Sequence, residues 1–165
     1  MHQFFGRQLA MTAKAFRAEF DTRLADAGGS LSTWIVLRLA EESVLESTEP
    51  AAEWGLSQRE LAERMDIEGP TLVRHLDRLE KEGLIERRRD PRDRRVTRIT
   101  VTPAGHRLLE ALRKVADAME TEVRSLLTPA EHAVTTRVLG RLHAHMKALR
   151  ADPQEERGVD AHAAR

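Results

Sequence analysis

A chain of 165 residues and 18.7 kDa, 33% charged, 41% hydrophobic and only 4% aromatic, is long enough to bury a core and too apolar to stay disordered. It has no cysteine, which excludes disulfide frameworks, thiolate metal sites and thiol redox sensing. The 27 basic and 27 acidic residues cancel overall but not locally: residues 1–56 carry −3, residues 57–107 carry +3, and residues 108–165 are balanced.

The segment from Met1 to Phe16 carries Arg7 and Lys14 and lacks a long apolar run. No stretch approaches the roughly 18 apolar residues of a membrane span, so neither a signal peptide nor a membrane partner is expected, and the expected location is the cytoplasm. Phe4, Phe5, Leu9, Ala13, Phe16, Phe20 and Leu24 form a helical stripe that ends near Gly28-Gly29. Ser32 through Ala40, with Trp34, Leu37 and Leu39, begins a second helix. Residues 43–56, rich in Ser, Thr and Pro and containing Trp54, read as a long connection.

Punctuation is clearer downstream. Ser57-Gln58-Arg59-Glu60 is a capping box opening a helix with Leu61, Ala62 and Met65 that stops near Asp66-Ile67. Gly69-Pro70 starts the next helix, where Leu72, Val73, Leu76 and Leu79 make one buried stripe and Gly83 follows as a left-handed stop. Leu84 and Ile85 lead into a strand, Asp90-Pro91-Arg92-Asp93 supplies turn chemistry, and Val96 to Val101 is rich in β-branched residues, which together predict a two-stranded hairpin. Thr102-Pro103 caps a helix carrying Leu108, Leu109, Leu112, Val115, Met119, Val123 and Leu126. Thr128-Pro129-Ala130-Glu131 is a second capping box, and its helix carries Val134, Val138, Leu142, Met146 and Leu149. The tail from Ala151 is polar, and a frayed end is expected there.

Enzymatic and metal chemistry find no support. The one close histidine pair, His143-x-His145, lies two apart on a helix, where side chains diverge, and no HExxH, GxSxG, P-loop or GxGxxG spacing occurs. No cofactor and no metal are expected. What stands out is Arg87, Arg88, Arg89, Arg92, Arg94, Arg95 and Arg98 against only Asp90 and Asp93, a local excess of five positive charges within twelve residues. Such a cluster attracts polyanions even on a neutral protein.

A short capped helix, a tight turn, a second amphipathic helix and a basic hairpin predict a winged helix-turn-helix within a mainly α fold bearing a small two-stranded β wing. With the leucine stripe inward, Thr71, Arg74, His75 and Arg78 face a DNA major groove, where arginine reads guanine edges. The hairpin reaches toward a minor groove, whose negative potential favours an inserted arginine. The alternative for any single arginine is a surface ion pair, which contributes little.

The run from Leu56 to Leu108 resembles the winged helix of the MarR family of bacterial transcriptional regulators. The segment Ile67 to Glu80, then Gly83-Leu84-Ile85, Asp93-Arg94-Arg95 and Thr102-Pro103-Ala104-Gly105, is similar to the SlyA-type branch, and the flanking helices extend the likeness to about residues 3–150. The resemblance implies a homodimer whose first and last helices interlock into a helical dimerisation domain. It implies double-stranded DNA as partner through a pseudo-palindromic operator, commonly repression, and release by a small anionic aromatic effector. The chain is thus expected to divide into N-terminal helices for dimerisation and support at 1–42, a connection at 43–56, a DNA-binding domain at 57–102, C-terminal dimerisation helices at 103–150 and a flexible tail at 151–165.

Carried over by motif, Arg95 is the wing arginine that enters the minor groove, flanked by Arg92 and Arg94, and Asp93 holds it by a charge-assisted hydrogen bond. Pro70, Thr71, Arg74 and His75 lie in or beside the major groove, with Ser57 near the phosphate backbone. The effector region would be supplied by Phe16, Arg17, Trp34, Arg38 and His75, an arginine beside aromatic surface suiting an aromatic carboxylate; the alternative is core aromatics with surface ion pairs. The connection looks about nine residues longer than in the SlyA-type branch, and the absence of cysteine excludes the family's thiol-based peroxide sensing. A rival from another class is a winged-helix module for protein assembly, for which so dense an arginine cluster has no evident use.

Overall fold

In a computed structural model, which describes residues 4–46 and 55–151, six helices and three strands follow one another as α1 (Phe5–Asp26), α2 (Leu31–Glu46), β1 (Leu56–Ser57), α3 (Gln58–Met65), α4 (Gly69–Lys81), β2 (Ile85–Arg89), β3 (Thr97–Val101), α5 (Pro103–Ser125) and α6 (Pro129–Ala151). The chain divides into two compact units, residues 1–119 and 120–165. None of the described helices is long and apolar enough to cross a membrane.

The first unit has two clusters of buried side chains. Val36, Leu37 and Leu39 of α2 meet Leu61 of α3, Leu72, Leu76 and Leu79 of α4, Ile85, Ile99 and Leu109. Each fully buried leucine contributes roughly 2 kcal/mol by leaving water, so the stripe Leu72-Leu76-Leu79 fixes which face of α4 turns outward. A second cluster joins Phe20 and Leu24 of α1 to Leu112 and Met119 of α5, with Trp34 packed against it. Glu41 adds a polar tie between α2 and α5, accepting from Arg113 Nη2 at 2.5 Å and meeting His106 Nδ1 at 3.1 Å.

The hairpin is present as expected, with Arg88 opposite Arg98 and Arg89 opposite Thr97. The sequence reading had no place for β1, which pairs antiparallel with β3 and makes a sheet of order β1-β3-β2. Gly55 permits this junction: its φ is +72°, and a Cβ there would sit 2.0 Å from the Ile99 carbonyl oxygen.

Two expectations need correction. The connection expected to begin at residue 43 begins later, because α2 continues to Glu46; its centre, Trp54 included, lies outside the described residues, as does the expected tail beyond Ala151. The apolar stripe of α1 is buried only at its C-terminal end, through Phe20 and Leu24. Phe4, Phe5 and Phe16 stay exposed, since the core clusters reach only the last turns of this helix. In the second unit, Thr128 and Glu131 close the capping box of α6, with the Thr128 amide donating to Glu131 Oε2 at 2.8 Å and the Glu131 amide to Thr128 Oγ1 at 3.3 Å. Val134, Val138, Leu139, Met146 and Leu149 on that helix are exposed.

Candidate nucleic-acid interface

Ser57 closes the start of α3: its Oγ accepts the Glu60 amide at 3.2 Å while Glu60 Oε2 accepts the Ser57 amide at 2.8 Å. The Ser57 side chain is the main cause that holds the Glu60 carboxyl below its ordinary range. At the far end Asp66 takes a left-handed conformation (φ 51°), which ends α3 and lets α4 start at Gly69-Pro70.

On α4 the outward face carries Pro70, Thr71 and Arg74, all exposed, with His75 half-buried beside them. Arg74 and His75 make no hydrogen bond or ion pair among the described residues. Arg78 differs from the sequence expectation. Its Nη2 donates to Thr33 Oγ1 at 2.9 Å, and its Nε lies 3.5 Å from Glu82, so it fastens α4 to α2 rather than standing free for a base edge. Thr33 is buried on α2, and the physical reason for the change is a satisfied hydroxyl in the helix interface.

The seven arginines of the basic run separate into two groups. Arg87 holds α4, through Asp77 at 2.6 Å and the Val73 carbonyl at 3.4 Å. Arg88 pairs with Glu86 at 2.5 Å, and Arg89 donates to the Arg94 carbonyl and to Thr97 Oγ1. Arg98 donates from Nε to Asp90 Oδ2 at 2.7 Å and from Nη1 to the Gly55 carbonyl at 3.0 Å. The guanidinium groups of Arg92, Arg94 and Arg95 have no partner among the described residues, and all three residues are exposed on the loop between β2 and β3.

Asp93 contacts Arg95 differently from the expectation. Its Oδ1 accepts the Arg95 backbone amide at 2.9 Å, so it shapes the turn and leaves the guanidinium free. An open groove of about 1020 Å³ separates this loop from the α3–α4 turn, lined among others by Ser57, Arg59, Gly69, Asp93 and Arg95. The structure therefore sets Ser57, the start of α4 and the wing loop around one concavity, with the unpartnered Arg95 among its lining residues.

The residues expected to hold an effector are only partly gathered. Phe20 links two of them, with ring centroids 5.9 Å from Phe16 and 5.5 Å, edge-on, from Trp34. The Arg38 guanidinium lies 5.1 Å from the Trp34 centroid and donates to Glu42 at 2.9 Å, while its buried Nε has no hydrogen-bond partner. Arg17 and His75 make no hydrogen bond, ion pair or ring contact with this group among the described residues. Sequence reasoning missed Thr33, Asp90 and Arg98 as contributors: Asp90 read as turn chemistry, and Arg98 as one more charge in the run.

Known proteins give this arrangement a context. The sequence profile of the MarR family matches residues 53–97. A curated relative, the uncharacterized HTH-type transcriptional regulator YdgJ of Bacillus subtilis, is 28% identical over 96 residues, which are 58% of this chain and 58% of the relative. The chain thus spans less than two thirds of that relative's length. The solved transcriptional regulator PA3341 is 35% identical, with 88% of this chain and 99% of that one covered and a TM-score of 0.68. MepR of S. aureus, solved in complex with DNA, shares the fold at 22% identity, with 87% and 99% covered and a TM-score of 0.74.

Proposed function

Since the chain belongs to the MarR family of transcriptional regulators, we propose that it represses transcription by binding a pseudo-palindromic operator in double-stranded DNA as a homodimer. The observation that carries this reading is the set of exposed, unpartnered guanidinium groups of Arg92, Arg94 and Arg95 on the wing loop, where Arg95 lines a groove shared with Ser57 and with Gly69 at the start of α4. α4 enters the major groove with Thr71, Arg74 and His75 toward base edges, Ser57 lies by the phosphate backbone, and Arg95 enters the adjacent minor groove. Residues 57–102 are the DNA-binding domain.

The exposed apolar residues of α1 and of α6 support the homodimer, because such surface on a single copy gains by being covered. A small anionic aromatic effector is the ligand class suited to Arg38 and Trp34, and its binding releases the operator. A regulator of operators works in the bacterial cytoplasm.

Fluorescence anisotropy tests the reading, using a duplex that the wild type selects from a random library, at two salt concentrations and against unrelated competitor DNA. Competitor-resistant binding that weakens steeply with salt and falls in Arg95→Ala, with dimerisation and thermal stability unchanged, is expected. Failure of any duplex to enrich, or binding indifferent to Arg95, refutes it and favours protein assembly.

A further inference from the structure

The loop that carries Arg92, Arg94 and Arg95 brings three like charges together and has no apolar residue of its own before Val96 apart from Pro91. Its shape comes from below. The Asp90 amide donates to the Val96 carbonyl at 3.0 Å, and the Val96 amide to the Asp93 carbonyl at 2.9 Å. The Asp90 side chain is buried within the hairpin, at 6% exposure. Its Oδ1 accepts the amides of Arg92 at 2.7 Å and Asp93 at 3.3 Å, and its Oδ2 accepts Arg98 Nε.

Arg98 continues the chain of bonds sideways. On β3 it is paired in the ladder with Arg88 on one side and Ser57 on the other. Its Nη1 reaches the Gly55 carbonyl and lies 3.8 Å from Glu60 Oε2, the carboxylate that caps Ser57. One guanidinium thus links the amides at the base of the wing loop to the first turn of α3. We propose that Asp90 and Arg98 are positioning residues for DNA recognition, fixing the wing tip at a set distance from the N-terminus of α3 without touching DNA themselves. This rests on the reading that Arg95 enters a minor groove.

The physical need is preorganisation. A loop of mutually repelling arginines that had to be ordered during binding would lose affinity to that ordering, and an anchored loop does not. The anchor requires arginine because two nitrogens of one planar group serve partners in different directions. A lysine keeps the charge but has a single nitrogen on a flexible stem.

The test uses the selected duplex with wild type, Arg98→Lys, Arg98→Met, Arg95→Ala and the double variant Arg95→Ala/Arg98→Met. Arg98→Lys and Arg98→Met should each weaken binding roughly tenfold, the scale of coupling between residues of one network, and Arg98→Met should cost almost nothing further on the Arg95→Ala background. The amides of Arg92 and Asp93 should exchange hydrogen faster in both Arg98 variants while dimerisation is unchanged. If Arg98→Met does not fold, Arg98→Lys combined with Arg95→Ala completes the same cycle. Wild-type affinity in Arg98→Lys would show that charge alone suffices, and losses that multiply in the double variant would show Arg98 acting independently of the tip; either overturns the proposal. Wild-type affinity in Arg95→Ala would instead refute the wing reading itself, a distinct result.

Discussion

The Asp90 carboxylate accepts two loop amides on one oxygen and a guanidinium on the other, and these bonds are strongest when it is ionised. The Arg92 amide first, then Arg98, holds its carboxyl below the ordinary value of 3.8, against the opposing effect of burial. A folded-state value below the unfolded one means the group contributes stability above about pH 3.8, and that contribution is lost as pH falls through the lower folded value. Asp90→Asn should therefore be less stable than wild type by the same margin at about pH 7 and pH 5, with the margin narrowing near pH 3. Urea unfolding at the three values checks this, and a constant margin would show that shape rather than charge holds the loop. At this scale sequence counted arginines well and ranked them poorly. The β-branched run around Arg98 marks it as a strand residue and Arg95 as a loop residue, but its partners are Asp90 across the hairpin and the Gly55 carbonyl over forty positions away, which residue type alone does not announce.

Elements whose signals are local were legible. The capping boxes at Ser57 and Thr128, the turn at Gly69-Pro70 and the stop at Gly83 each need only three or four neighbouring residues, and each stands where the sequence placed it. Elements defined by distant partners were not. β1 is two residues long and exists only through its ladder to Ile99 and Arg98, while the Ser-containing composition after Ala40 masked the last turns of α2. The cap at Ser57 also yields a number: Ser57→Ala should destabilise the protein by about 1 kcal/mol, the usual cost of losing an N-cap oxygen. Equilibrium denaturation measures it. An unchanged midpoint would mean that pairing with β3, rather than the hydroxyl, sets where α3 begins.

For the whole molecule, the apolar faces of α1 and α6 matter most. Phe4 is 77% exposed and Leu149 59%, although both lie on stripes that the sequence marks as buried. Hydrophobic periodicity reports that a face is to be covered, and it does not report which copy of the chain covers it. On the proposed homodimer, a chain ending at Leu127 lacks α6 and should sediment as a monomer at concentrations where the full chain sediments as a dimer, while its winged helix stays folded by circular dichroism. A truncated chain that still dimerised would move the interface to α1 and α5 alone.

The bond from Arg78 to Thr33 adds a polar tie to the leucine packing that joins α4 to α2. Thr33 is adjacent in sequence to Trp34, whose ring carries Arg38, and its hydroxyl grips the helix that bears Arg74. A hydrogen bond of 2.9 Å has a working tolerance of about half an ångström before it is lost. Because Leu72, Leu76 and Leu79 of α4 share a buried cluster with Val36, Leu37 and Leu39 of α2, the two helices stay joined if this bond lapses, and the bond acts as a fine adjustment on a packed interface rather than as its only link. A shift too small to alter the outline of the protein is thus enough to make or break the tie that trims the seating of α4 on α2.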